Sequence, residues 1–225
     1  MQKLRDDRMA TRLLVVDDHS VVRYGLGQLI HAEPDLEICG EASGVHEALG
    51  MIQKLDPNMV IIDLSLKDGS GIELIKQIRA HHNGVRMLVW SMHDEFLFAE
   101  RALRAGAMGY VCKDEPIQMV VEAIRQVLNG KIHLSDRIAD RLLVHMASGD
   151  QDGGRNSLEQ LSNRELEVFE LIGRGHTRGQ IAQNLHLSVK TIESHQENIK
   201  RKLFLSTNQE LFRRAVAWVL ESKEA

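Results

Sequence analysis

Asp63 ends the apolar run Met59-Val60-Ile61-Ile62, and it has companions of complementary chemistry. Asp17-Asp18 end an earlier run, Leu13 to Val16; Ser91 ends Met87 to Trp90; Lys113 ends Gly109 to Cys112. In an open parallel sheet, residues just past the carboxyl ends of the strands converge on one crevice. Three carboxylates, a hydroxyl and an ammonium would then share a site, a set suited to Mg2+-assisted transfer of a phosphoryl group to a carboxylate. Such transfer needs a metal to bridge donor and acceptor oxygens and neutralise developing charge. Mg2+ prefers carboxylate oxygens while keeping several waters. Asp18 and Asp63 are expected as direct ligands and Asp17 as a water-mediated one. Lys113 would pair with a phosphoryl oxygen and the Ser91 hydroxyl would donate to it. The bland alternatives are helix capping for the acidic pair and a solvated charge for the lysine.

These residues need a sheet covered on both faces, and the chain has the pattern for one. Strands are expected at 12–16, 36–42, 59–63, 86–91 and 109–112, with helices at 20–31, 45–55, 71–82, 95–105 and 117–129. Strands rich in Val, Ile, Leu and Met on both faces indicate helices above and below. Five βα units in this length make a doubly wound α/β domain. Cys39 and Cys112 fall on the second and fifth strands, which strand order 2-1-3-4-5 puts at opposite edges, too far apart to bridge.

A further helix is expected from Ser135 to about Ala147, followed by ten small or polar residues, Ser148 to Ser157, that read as a flexible linker. Residues 158–225 hold no strand-like run. Capping boxes at Ser162/Glu165, Thr177/Gln180 and Thr207/Glu210, with a fourth start at Ser188, give four helices around a helix-turn-helix. The expected division is 10–130, 131–157 and 158–225.

Composition excludes some classes. No stretch offers the ~18 apolar residues of a membrane helix, and the charged N-terminus, Met1 to Arg8, lacks a signal-peptide core, so a cytoplasmic protein is expected. Residues 1–156 carry 18 Lys and Arg against 23 Asp and Glu, net −5; residues 157–225 carry 10 against 9, net +1. That second balance is small for a nucleic-acid binder, so DNA recognition by a homodimer is expected.

Residues 12–130 resemble the receiver domain of two-component response regulators, through Asp17, Asp18, Asp63, Ser91 and Lys113. The separations of 45 from Asp18 to Asp63 and 22 from Ser91 to Lys113 fit that family. The segment from Leu161-Ser162-Asn163-Arg164-Glu165 through Thr191-Ile192-Glu193-Ser194-His195 to Lys202-Leu203 is similar to the LuxR-type DNA-binding domain. Together they resemble a NarL/FixJ-family response regulator: a flavodoxin-like receiver followed by a small all-α helix-turn-helix domain. The resemblance implies Asp63 as phosphoacceptor from a histidine kinase, Tyr110 as switch aromatic, and the Ser65 backbone carbonyl as a further Mg2+ ligand. It implies transcription regulation through double-stranded DNA, with no enzyme activity beyond self-phosphorylation and autodephosphorylation. Asp114 stands where many receivers have a proline after the lysine, and Lys67 replaces another common proline.

In the helix starting at Ser188, Val189, Ile192, Ile199 and Leu203 are expected to face inward. Ser188, Lys190, Thr191, Glu193, Ser194, His195, Glu197, Lys200, Arg201 and Lys202 are the expected DNA contacts, with the N-terminal half at the bases. The Lys-Arg-Lys run is equally a compensation of the helix dipole. Leu211, Ala215, Trp218 and Val219 form either a dimer surface or plain packing. Two rivals remain: a phosphohydrolase using Asp63 as nucleophile, against which Ser65 occupies the position where an aspartate general acid is usual, and a receiver never phosphorylated.

Overall fold

The computed structural model describes residues 10–82, 84–148, 158 and 160–224. The chain divides into two compact units, the first including residues up to 92 and 102–133, the second 93–101 and 134 onward. No helix among the described residues is long and apolar enough to cross a membrane.

The first unit is a five-stranded parallel sheet. Its strands are β1 (Thr11–Val16), β2 (Leu36–Ala42), β3 (Met59–Ile62), β6 (Arg86–Ser91) and β7 (Gly109–Cys112), in the order β2-β1-β3-β6-β7. Helices α1 (Ser20–His31), α2 (Val45–Leu55), α3 (Gly71–His81) and α5 (Gln118–Leu128) connect and cover them, while α4 (Glu95–Ala105) begins in the second unit and ends in the first. β3 is buried at every residue, as a strand between two helical layers must be. Leu13, Val15, Met59, Ile61, Leu88 and Val111 pack on one side with Leu26 and Ile30 of α1 and Val120, Ile124 and Val127 of α5. Cys39 and Cys112 are free thiols on the two edge strands.

Two features depart from the expected pattern. A two-residue hairpin, β4 (Ser65–Leu66) with β5 (Gly69–Ser70), fills the space after Asp63. His133 forms a bridge with Gly109 and accepts from the Tyr110 amide at 2.9 Å, covering part of the β7 edge. The Lys113–Asp114 bond is trans, as are all peptide bonds of the described residues.

Gly71, after the hairpin, is required by close approach. A Cβ there would lie 2.2 Å from the Asp63 carbonyl oxygen and 2.8 Å from Leu64 Cα. Both are backbone atoms that cannot swing aside. Gly71→Ala is therefore expected to cost at least the ~1–3 kcal/mol typical of overpacking. The measurement is urea unfolding, with loss of Asp63 phosphorylation as the accompanying effect, because the displaced segment carries Asp63.

The second unit is helical: α6 (Asp136–Ser148), α7 (Asn163–Gly173), α8 (Arg178–Asn184), α9 (Val189–Lys202) and α10 (Asn208–Glu224). Ser148 ends α6, and the rest of the expected linker, 149–157, lies outside the described residues. Both capping boxes at Ser162/Glu165 and Thr177/Gln180 are formed, Ser188 accepts from the Thr191 amide at 3.0 Å, and Thr207 accepts from the Glu210 amide at 3.1 Å. Leu211, Ala215 and Val219 are buried, and a Cβ on Gly173 of α7 would meet the Ala215 carbonyl at 2.5 Å. The stripe weighed as a dimer surface is thus mostly internal packing, against α7. The outward apolar residues of α10 are instead Phe212 and Leu220.

Charged residues are also built into this unit. Glu167 and Glu170 of α7 are 0% and 1% exposed. Glu170 is paired with the buried His93 ring, accepts from the Asp94 amide at 2.9 Å, and accepts from Arg174 at 2.7 Å. Arg101 donates to the carbonyls of Leu158 and Leu161, each at 2.8 Å.

Candidate functional site

The carboxyl ends of β1, β3, β6 and β7 hold the predicted acidic pocket. Backbone hydrogen bonds continue the sheet one residue past three of these strands. The Asp17 amide donates to the Ala42 carbonyl at 3.0 Å, that of Asp63 to Val16 at 2.8 Å, and that of Lys113 to Ser91 at 2.8 Å. Each functional residue is therefore fixed by the strand beside it, in the preorganised manner a charged site needs.

Asp63 is 4% exposed. Ser91 Oγ donates to its Oδ1 at 2.6 Å, and Lys113 Nζ donates to its Oδ2 at 2.6 Å. Lys113 also donates to Asp17 Oδ2 at 2.6 Å. Arg23 fixes the Asp17 carbonyl at 2.6 Å while holding Glu41 at 2.9 Å. The Ser91 hydroxyl, expected to engage an incoming phosphoryl oxygen, thus already reaches Asp63. Tyr110 is 1% exposed on β7. Ser65 opens β4 opposite Ser70.

The electrostatics follow from three clustered carboxylates, two of which share the one ammonium. Burial, then the charge of Asp63, raises the Asp17 carboxyl above the ordinary carboxylate range despite Lys113. Burial works to lower Lys113, but the charges of Asp63 and Asp17 outweigh it and hold the ammonium above its usual range. Asp17, Asp18 and Asp63 with Lys113 carry a formal −2, which a divalent cation would balance. Oxygen donors, burial and this excess charge fit a hard dication. Asp17, Asp18, His19 and Asp63 each present a donor atom, all within 4.8 Å of one another. His19 was not among the expected ligands.

In the second unit, α9 presents Ser188, Lys190, Glu193, Ser194, Glu197 and Arg201 to solvent, while Thr191, His195, Lys200 and Lys202 are half-buried. Ile192 and Ile199 face inward as expected, but Val189 is 46% exposed and buried Gln196 takes the inward position instead. Gln196 accepts from Arg178 at 2.8 Å, which satisfies its buried amide. Several expected DNA contacts already have partners: Glu193 lies 3.4 Å from Arg178, Glu197 lies 2.9 Å from Lys200, and Ser194 donates to the Lys190 carbonyl at 3.1 Å. Burial lowers the His195 imidazole below its ordinary range, favouring the neutral ring.

Lys202 donates to Glu165 Oε2 at 2.6 Å, joining the end of α9 to the capping box of α7. Burial raises the Glu165 carboxyl, but Lys202 and the Ser162 amide and hydroxyl together bring it below its usual 4.5. A depressed carboxyl contributes stability above its unfolded value and loses it as pH falls through the folded one. Lys202→Met is expected to destabilise by about 1–2 kcal/mol at pH 7. The difference from wild type should shrink below pH 4.5, followed by chemical denaturation at each pH.

Residues 13–125 match the response regulator receiver domain, and residues 159–215 match the luxR family of bacterial regulatory proteins. The chain belongs to the NarL/FixJ family of response regulators. It is 31% identical over 204 residues to the oxygen regulatory protein NreC of Staphylococcus carnosus (strain TM300), covering 89% of this chain and 94% of that one. It is 32% identical over 197 residues to the transcriptional regulatory protein LiaR of Bacillus subtilis (strain 168), covering 87% and 92%. Among solved structures, RcsB of Salmonella enterica serovar Typhimurium, bound to promoter rprA with phosphomimetic BeF3−, superposes with a TM-score of 0.61. The match is 25% identical and covers 91% of this chain and 98% of that one. This response regulator is a phosphorylation-dependent, DNA-binding regulator of transcription in a two-component system. Its family is one of transcription regulators rather than conventional enzymes.

Proposed function

We propose that Asp63 accepts the phosphoryl group, with Mg2+ held by Asp18, Asp63, the Ser65 carbonyl and, through water, Asp17. The observation that carries this reading is Asp63 itself, buried with Ser91 and Lys113 each at 2.6 Å on different oxygens. A carboxylate oxygen has two lone-pair sites, so one contact on each leaves electron pairs for phosphorus. An Asp63 oxygen attacks the phosphorus of the kinase phosphohistidine; the P–N bond breaks and the imidazole leaves with the electron pair. The bound metal would supply charge neutralisation at the transferring oxygens. Lys113, freed from one carboxylate contact, pairs with a phosphoryl oxygen, and Ser91 donates to another. Attack by water on the acyl phosphate later restores Asp63 and releases phosphate.

The acyl phosphate carries about −1.5 to −2 of charge in place of the carboxylate's −1, and spreads it over three new oxygens where Ser91 and Lys113 are now bonded to Asp63. Their hydrogen bonds must be redrawn, and the loop after Ser91 must adjust with them. His93, two residues on, is the partner of Glu170 on α7. The redrawn loop thereby biases the helix-turn-helix, whose α9 enters the major groove as a homodimer on double-stranded DNA. Base contacts come from Ser188, Lys190, Glu193, Ser194 and Glu197, and phosphate contacts from Thr191, His195, Lys200 and Arg201. Lys202 contributes only by leaving Glu165.

Beryllofluoride with Mg2+ tests the whole reading. Operator affinity, read by fluorescence anisotropy on selected DNA, should rise, with a shift toward dimer in sedimentation. Unchanged affinity and unchanged mass would sink it.

A further inference from the structure

His19 follows the acidic pair and occupies the N-cap position of α1, yet its side chain makes no capping hydrogen bond. The imidazole turns onto the pocket instead. Its Nδ1 lies 2.6 Å from Asp18 Oδ1 and 3.4 Å from Asp17 Oδ1, while its backbone amide donates to Asp17 Oδ1 at 2.8 Å. The amide bond anchors the residue, and the ring closes the solvent side of the carboxylates with its side chain 64% exposed. A donor so placed can reach the pocket without the desolvation cost of a buried histidine.

The donor atoms of Asp17, Asp18, His19 and Asp63 all lie within 4.8 Å of one another. Two donors on opposite sides of one small dication stand about 4.2 Å apart, from metal–oxygen distances of ~2.1 Å. The four groups thus need only a small contraction to share an ion. Three are hard oxygens and the fourth is a borderline nitrogen. Oxygen-only sets suit Mg2+ and Mn2+, whereas imidazole suits Fe2+, Ni2+, Cu2+ and Zn2+.

We infer that His19 is a metal ligand and gives this receiver pocket a preference for Ni2+ and other imidazole-binding first-row divalent ions over Mg2+. For this the Nδ1 that now contacts Asp18 gives up its proton, the neutral ring carrying its hydrogen on Nε2 instead; the freed lone pair goes to the ion, and Asp18 turns an oxygen to the same ion. The inference rests on the pocket being the metal site, and it adds a specificity-determining residue to it. His19 lies outside the phosphoryl-transfer contacts of Ser91 and Lys113, so its effect falls on which ion is held.

The test uses the full chain, with Mn2+ as the paramagnetic probe and Ni2+ and Mg2+ in the titrations. Pulsed electron paramagnetic resonance of the Mn2+ complex should show nitrogen coupling of an imidazole, absent in His19→Asn. Titrations followed by Trp90 fluorescence should give a Ni2+-over-Mg2+ preference that falls about tenfold in His19→Asn, within the range that loss of a metal-site group produces. Circular dichroism verifies that the variant is folded. Mn2+ bound without nitrogen coupling, or the same Ni2+-over-Mg2+ preference in His19→Asn, overturns the role of His19 and leaves the pocket standing. Failure of all three ions to bind overturns the pocket reading as well. His46→Asn, altering a ring held by Asp68 at 2.9 Å, should leave coupling and preference unchanged; coupling lost there instead would place the nitrogen donor elsewhere and refute the assignment.

Discussion

Asp63→Asn is expected to abolish phosphoryl uptake, with no mass gain from acetyl phosphate and no DNA response to beryllofluoride. The amide cannot form the acyl phosphate, and no other carboxylate is placed to replace it. Asp17 Oδ2 is held by Lys113 and its Oδ1 by the His19 amide, while Asp18 lies beside the His19 ring. The variant should fold, because it removes one of two carboxylates that share a single ammonium. Its amide oxygen still accepts from Ser91, and Lys113 keeps Asp17 as a partner. Loss of Asp63 also removes the charge that helps raise the Asp17 carboxyl, so Asp17 should return toward its ordinary range. Intact-mass spectrometry after acetyl phosphate decides the matter. A phosphorylated Asp63→Asn protein would place the acceptor elsewhere in the pocket and remove the main support for the proposed chemistry.

How legible these features are depends on whether their cause is local. The strand-end residues stand out because a buried parallel strand is an apolar run, and the first polar residue after it marks the crevice. Right-handed crossovers fix which face each helix covers but not the strand order, which the receiver resemblance implies. The β4–β5 hairpin has strands of two residues, too short for any period to register. Gly71 is dictated by the approach of Asp63 backbone, a tertiary fact that leaves only a glycine in the sequence. Gln196 is inward because Arg178, on another helix, meets it. His19 gives no signal of its own, because a polar residue at the start of a helix is commonplace.

The least legible pair, Glu167 and Glu170, carries the second large expected effect. On periodicity alone a glutamate should face water, yet both are buried on α7. Their partners separate them. Glu170 accepts from Arg174 and the Asp94 amide and is paired with buried His93. Burial raises its carboxyl, but His93 and Arg174 bring it below its usual range. Glu167 accepts from Arg164 at 2.6 Å, its other oxygen has no hydrogen-bond partner among the described residues, and burial raises its carboxyl. Arg164 also donates to the Leu185 carbonyl at 2.6 Å, so it keeps a partner when Glu167 is neutralised. Breaking a buried pair from one side leaves an uncompensated charge and costs about 3–5 kcal/mol. Glu170→Gln should therefore destabilise the helical unit by that amount, since His93 and Arg174 both lose their anion. Glu167→Gln should cost about 1 kcal/mol or less, because it removes a charge that burial already penalises. Urea unfolding of the full chain, followed by helical signal, measures both. The signs also differ with pH: the Glu170 contribution is present above pH 4.5 and lost as pH falls through its depressed folded value. Glu167 acts in the opposite direction, its folded-state advantage present below pH 4.5 and lost as pH rises through its raised value. Equal costs for the two substitutions at pH 7 would show that burial alone, and not the partners, sets the energetics of α7.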